Sequence, residues 1–155
     1  MSIPRAVGIA ILASFFISSS NLAQEKKIKR SDLPPAVEKT VAELSKAATI
    51  KGFSQETEKG KTTYEVEMIV SGHTKDVAMD ATGAILEIEE EVVLTALSPN
   101  VKAGLAAKAA GGAILKVESL TKNGRLVAYE AKIKTGSKIS EIQVGPDGNP
   151  LDHKE

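Results

Sequence analysis

Cysteine and tryptophan are both absent from this 155-residue chain. Without cysteine there is no disulfide framework, no thiol nucleophile and no thiolate metal site, so stability has to come from packing. Aromatic residues are few, and beyond the first 23 positions only Phe53, Tyr64 and Tyr129 remain. Tight protein interfaces are usually anchored by Trp, Tyr and Arg. An aromatic-anchored grip is therefore not expected, and a weak or strand-edge interaction is. Net charge is missing as well, with Lys+Arg and Asp+Glu both 20. No overall field recruits nucleic acid, which is excluded as a partner.

The chemistry-bearing motifs are equally sparse. The histidines, His73 and His153, have no second ligand at metal-binding spacing, and both are expected on the surface. There is no glycine-rich phosphate loop, no His-Glu-x-x-His helix and no serine elbow. Gly111-Gly112 ends a helical stretch instead of opening one, which makes it a helix stop and not an anion site. No acid, base and nucleophile set can be assembled. The expectation is a non-enzymatic protein that carries no cofactor.

One long apolar run is present, from Ala6 to Ile17, preceded by Arg5 and followed by small polar residues through Ala23. It falls short of the ~20 residues that a membrane-spanning helix needs. The arrangement is that of a secretory signal peptide over 1–23, so the chain is expected to be periplasmic or secreted with no membrane span after cleavage. Residues 24–32 carry Lys26, Lys27, Lys29 and Arg30 without an apolar period, and are expected to form a flexible charged leader.

An internal repeat follows. Leu33-Pro34-Pro35-Ala36-Val37 opens one helical stretch and Leu97-Ser98-Pro99-Asn100-Val101 opens another, 64 positions on. Gly60, Tyr64, Gly83 and Leu86 recur as Gly124, Tyr129, Gly148 and Leu151, at offsets of 64 to 65. Val37, Val41, Leu44 and Ala48 form one stripe of a first helix over about 35–48. Val101, Leu105 and Ala109 repeat the stripe after Ser98, a good N-cap ahead of Pro99.

Downstream the period changes to two. Tyr64, Val66, Met68 and Val70 alternate with polar residues, as do Val127, Tyr129, Ala131 and Ile133. Turn signals such as Lys59-Gly60, Ser71-Gly72 and Asn123-Gly124 separate the strands. The matched tyrosines are expected to pack in the core. The resulting expectation is an α+β domain of two tandem repeats, 33–92 and 93–155, each a helix followed by a four-stranded antiparallel sheet. A unit of this size is marginal alone, so the copies are expected to pack into one domain with both helices on one sheet face.

The residues carrying this pattern resemble the PepSY-like family of exported bacterial domains. The resemblance rests on the Leu33-Pro34-Pro35-Ala36-Val37 helix start, on Gly60-x-x-x-Tyr64-Glu65-Val66-Glu67 and on Asp80-x-x-Gly83-x-Ile85-Leu86-Glu87. It covers residues 33–92 well and 97–152 in weaker form, with Gly145 standing where Asp80 stands in the first copy. That family is related in architecture to the beta-lactamase-inhibitor-like proteins. The resemblance implies a binding or regulatory module, expected as a monomer, acting on a peptidase or another cell-envelope component. It transfers no catalytic residue.

Glu87, Glu89 and Glu91 make the strongest charge cluster and share one face of a strand. Three carboxylates there could gather a hard cation such as calcium, which gives a second expectation: a periplasmic protein that binds calcium or a small ligand. The solvated reading of that face, with lysines across the sheet as counter-charges, stands beside it.

Overall fold

A computed structural model describes residues 25–155, and the expected signal peptide lies outside the described residues. In chain order the elements are β1 (Lys26–Lys27), α1 (Pro35–Leu44), β2 (Ala48–Glu58), β3 (Lys61–Val70), β4 (His73–Asp80), β5 (Ile85–Glu91), α2 (Pro99–Ala109), β6 (Ala113–Lys122), β7 (Arg125–Thr135) and β8 (Lys138–Val144). The strands form one antiparallel sheet in sequential order, β1 to β8.

This corrects the expected fold class. The molecule is mostly a single eight-stranded sheet, not two helix-plus-four-strand repeats. The sheet runs without a break because β5 pairs directly with β6, Glu89 opposite Leu120 and Glu91 opposite Glu118. Only β6, β7 and β8 follow α2. Pro150 stands 65 positions after Ile85, the first residue of β5, and the residues around it form no strand.

The last turns nevertheless keep the same backbone. Asp80 N–H donates to Ala84 O at 3.0 Å and Gly83 N–H to Asp80 O at 2.9 Å; Gly145 N–H donates to Asn149 O at 2.8 Å and Gly148 N–H to Gly145 O at 2.9 Å. The supporting carboxylate has moved along the chain. Asp80 accepts from the Thr82 and Ala84 amides, whereas in the second turn Asp147 accepts from Asn149. Both turns press on a helix start. A Cβ on Gly83 would meet Ala36 O at 2.5 Å, and one on Gly148 would meet Asn100 O at 2.3 Å.

Each helix forms where the apolar stripe and the capping agree. Pro35 and Pro99 sit in the first turn, where the missing N–H costs nothing. Ser98 Oγ accepts the Val101 N–H at 3.3 Å. Helix α1 stops at Leu44 and tightens into a 3₁₀ turn, Ser45–Ala47, that feeds β2. Helix α2 ends on Ala110 in the left-handed region, with Gly111 also at positive φ. Three two-residue hairpin turns, Lys59-Gly60, Ser71-Gly72 and Asn123-Gly124, have both residues at positive φ, the geometry that matches strand twist.

The core lies between the helices and one face of the sheet. Val37 and Val41 of α1 meet Val66, Met68, Val77 and Met79, all at most 1% exposed. Val101, Leu105 and Ala109 of α2 meet Val117, Ala131, Ile133 and Val144. Burial of each larger side chain contributes about 1.5–3 kcal/mol. The cross-strand pairs Val77–Ile88 and Ile88–Thr121 carry the sheet across the β4–β5–β6 junction between the two clusters. Tyr64 and Tyr129 are partly buried against their respective clusters.

The charged stretch expected as a leader contributes to the sheet from residue 26 on. Lys26 and Lys27 pair with Gln55 and Ser54, Ile28 N–H donates to Phe53 O at 3.1 Å, and the Ile28 side chain packs against the first cluster. Arg30 adds a forked pair of hydrogen bonds to Glu38. Among the described residues no helix is long and apolar enough to cross a membrane.

Candidate functional site

Strand alternation sends every second residue away from the helices, and on that side the sheet is lined with carboxylates. The register builds three rows across it. Glu67 faces Asp76, which faces Glu89, which faces Leu120. Glu65 faces Ala78, which faces Glu87, which faces Lys122. Glu91 faces Glu118, then Glu130, then Gln143. Directly opposed like charges destabilise a sheet. Here they recur on adjacent strands.

Some of the charge is answered within the chain. Lys116 pairs with Glu118 at 2.6 Å, Lys122 with Glu87 at 3.6 Å, and Lys154 with both Glu130 and Glu141 at 3.6 Å. Among the described residues Glu65, Asp76 and Glu89 form no ion pair. Burial pushes the Glu89 carboxyl up to about 8, helped by the charges of Glu118, Glu130, Glu87 and Asp76. Burial and then Asp76, Glu25, Glu67 and Glu87 push Glu65 up to about 7. Asp76 rises to about 6 for the same first reason, with Glu118 and Glu67 adding to it and Lys116 opposing. Desolvation disfavours the charged form, and near neutral pH these groups are poised between states.

Glu65, Asp76, Ala78, Glu87 and Glu89 line a shallow depression of about 60 Å³. Beside it, ligand oxygens of Asp76, Glu89 and Glu118 lie within 4.8 Å of one another. Calcium binds oxygens at about 2.3–2.6 Å, so atoms on opposite sides of one ion stand roughly twice that distance apart, which matches this spacing. Three carboxylates bring at most six oxygens, the lower end of what calcium takes. Lys116 already holds one of the three, Glu118. A larger depression of about 460 Å³ is lined by Gly145, Pro146, Asp147 and residues 149–153, but its Asp147 carboxylate is taken up by the Asn149 amide and side chain.

The three glutamates expected to share a cation separate in the structure. Glu89 joins Asp76 and Glu118. Glu87 lines the depression and pairs with Lys122. Glu91 accepts from the Thr74 amide at 3.1 Å and from its hydroxyl at 3.2 Å, with His73 Nδ1 at 3.8 Å. Those hydrogen bonds, the backbone one first, hold its carboxyl below the usual range. Asp76, Glu118, Glu65 and Glu130 were not expected as site residues from the sequence, because their grouping depends on which strands pair. His153 sits 3.4 Å from Glu155 and is largely exposed.

No family model matches the chain, and no curated protein matches it. Solved structures do. A BLIP-like protein from Bacteroides fragilis NCTC 9343 is 23% identical with a TM-score of 0.57, over 79% of this chain and 86% of that one. The chain has a BLIP-like fold. A DUF2874 family protein from Bacteroides ovatus is 18% identical with a TM-score of 0.61, over 77% of this chain and 85% of that one. A protein from Bacteroides eggerthii, described as periplasmic, is 14% identical with a TM-score of 0.63, over 77% and 86% of the two chains. At these identities the likeness is one of BLIP-like fold.

Proposed function

We propose that this chain is an exported, non-enzymatic binding module of PepSY-like type that takes a cationic polypeptide of the cell envelope on its helix-free sheet face. One observation carries the reading: Glu65, Asp76 and Glu89 are desolvated on that face and, among the described residues, have no ion pair. Carboxylates in that condition raise the free energy of the unliganded protein, and a partner that brings lysine or arginine relieves it. The signal-like amino terminus and a BLIP-like neighbour described as such are in keeping with an extracytoplasmic protein-binding role.

Titration with oligolysine at low ionic strength tests the reading. Binding is expected, weakening as salt screens the charges, and dropping about tenfold, ~1.4 kcal/mol, in a Glu65→Gln, Asp76→Asn, Glu89→Gln variant. Equal binding by the variant removes the face from consideration.

A second reading is favoured by the convergence of Asp76, Glu89 and Glu118: a divalent cation held between β4, β5 and β6. Calcium titration followed by calorimetry distinguishes it. Heat that vanishes in Glu89→Gln supports a site, and no heat from the unmodified protein rejects it.

A further inference from the structure

In sequence the segment after Pro150 corresponds to β5 at an offset of 65, but it forms no ladder. Instead it is fastened to the helix-free face by side chains. Gln143, 5% exposed, accepts the Glu155 N–H at 2.9 Å through its carbonyl oxygen, and its amide nitrogen donates to Glu130 at 2.8 Å and to Glu155 O at 3.5 Å. Lys154 lies between Glu130 and Glu141, 3.6 Å from each. Glu155 reaches Lys122 at 3.9 Å, the same ammonium that pairs with Glu87 at the edge of the open depression. A buried glutamine thus reads the main chain of one residue, while two carboxylates read the lysine before it.

These contacts have the form of a short, lysine-bearing segment bound to a receptor, bent at Asp152 and His153. We propose that residues 152–155 are a displaceable strap, occupying in cis the part of the helix-free face that an extended cationic polypeptide takes when it binds. The proposal rests on the cationic-partner reading above. It adds that β7 and β8 supply half of the binding surface and that this half is closed until the strap leaves. Two features favour release. Asp152, His153 and Lys154 are exposed, and the strap lacks the ladder hydrogen bonds that hold every strand beneath it. Lys122 couples the two halves, since a strap that lifts off leaves its ammonium to Glu87 alone.

Oligolysine titration of the full chain and of a Lys154→Glu variant, followed by calorimetry and by the Glu155 amide resonance, tests the strap. In Lys154→Glu the new carboxylate is repelled by Glu130 and Glu141, and this exposed position carries little risk to folding. The expected results are about five- to tenfold tighter oligolysine binding by the variant and, in the unmodified protein, a Glu155 amide that becomes mobile as peptide is added. A chain ending at Leu151 should match the variant. Equal affinity in all three proteins with an unmoved Glu155 amide overturns the strap and leaves the cationic face standing. No binding to any of them overturns both, because the strap would then have nothing to compete with.

Discussion

Asp76 and Glu89 stand directly opposite each other across the β4–β5 pairing, on the side of the sheet that neither helix covers. Two carboxylates in that relation repel, and burial raises the proton affinity of both. The protein therefore folds around a group of acids that hold protons more tightly than free side chains do. Whatever neutralises them, whether protons, a metal ion or a basic partner, stabilises the fold by linkage.

The first consequence is a falling stability with rising pH. Glu65, Asp76 and Glu89 have folded-state values of about 7, 6 and 8, above the ordinary 4.5, 3.8 and 4.5. Within that window the folded state binds more protons than the unfolded chain, so stability is highest at its acid end and is lost as pH rises toward 8. Glu89→Gln removes the largest contribution. The variant is expected to melt higher than the parent at pH 8, by ~1 kcal/mol once solvent screening is allowed for, and to show a flatter pH profile. Thermal melts across that range, read by circular dichroism, check the slope and its sign.

The turn glycines give a second prediction. Gly60 and Gly148 both have positive φ, but a Cβ on Gly60 meets nothing within 4 Å whereas one on Gly148 would meet Asn100 O at 2.3 Å. Gly60→Ala is expected to cost ~1 kcal/mol from backbone strain alone. Gly148→Ala adds a collision with the start of α2 and is expected to cost about 2–4 kcal/mol. Urea denaturation of the two variants separates strain from collision, and equal costs would mean that the turn does not press on the helix.

Core packing gives a third. Met79 is fully buried under α1, while Ile139 at the edge strand is 56% exposed. Met79→Ala is expected to destabilise by about 2–5 kcal/mol, and Ile139→Ala by no more than ~0.5 kcal/mol. The same denaturation measurements rank them.

Much of the fold was legible in the sequence because it is written in local terms. Val37 and Val41, and Val101, Leu105 and Ala109, are the buried helix residues that the stripes indicated. Ser98, the two prolines and the three glycine turns act where their side chains and φ preferences place them. What the sequence concealed depends on pairing between strands. Nothing local to Glu89 says that Leu120 lies opposite it, so two separate sheets could not be told from one continuous one. The candidate site was hidden for the same reason. Glu87, Glu89 and Glu91 alternate along one strand, but Asp76 and Glu118 reach Glu89 only through the β4-to-β6 register, and Glu91 is drawn off by Thr74 on the neighbouring strand. The strap was legible only as the place where Pro150 replaces Ile85.

The most direct test of the central claim is a carboxyl-carbon NMR titration of the protein with oligolysine. Binding at the helix-free face predicts that the Glu65, Asp76 and Glu89 carboxyl resonances move together and saturate, while those of Glu38 and Glu43 on the helix side stay fixed. Shifts confined to Glu38 and Glu43, or shared evenly by all the carboxylates, would contradict it.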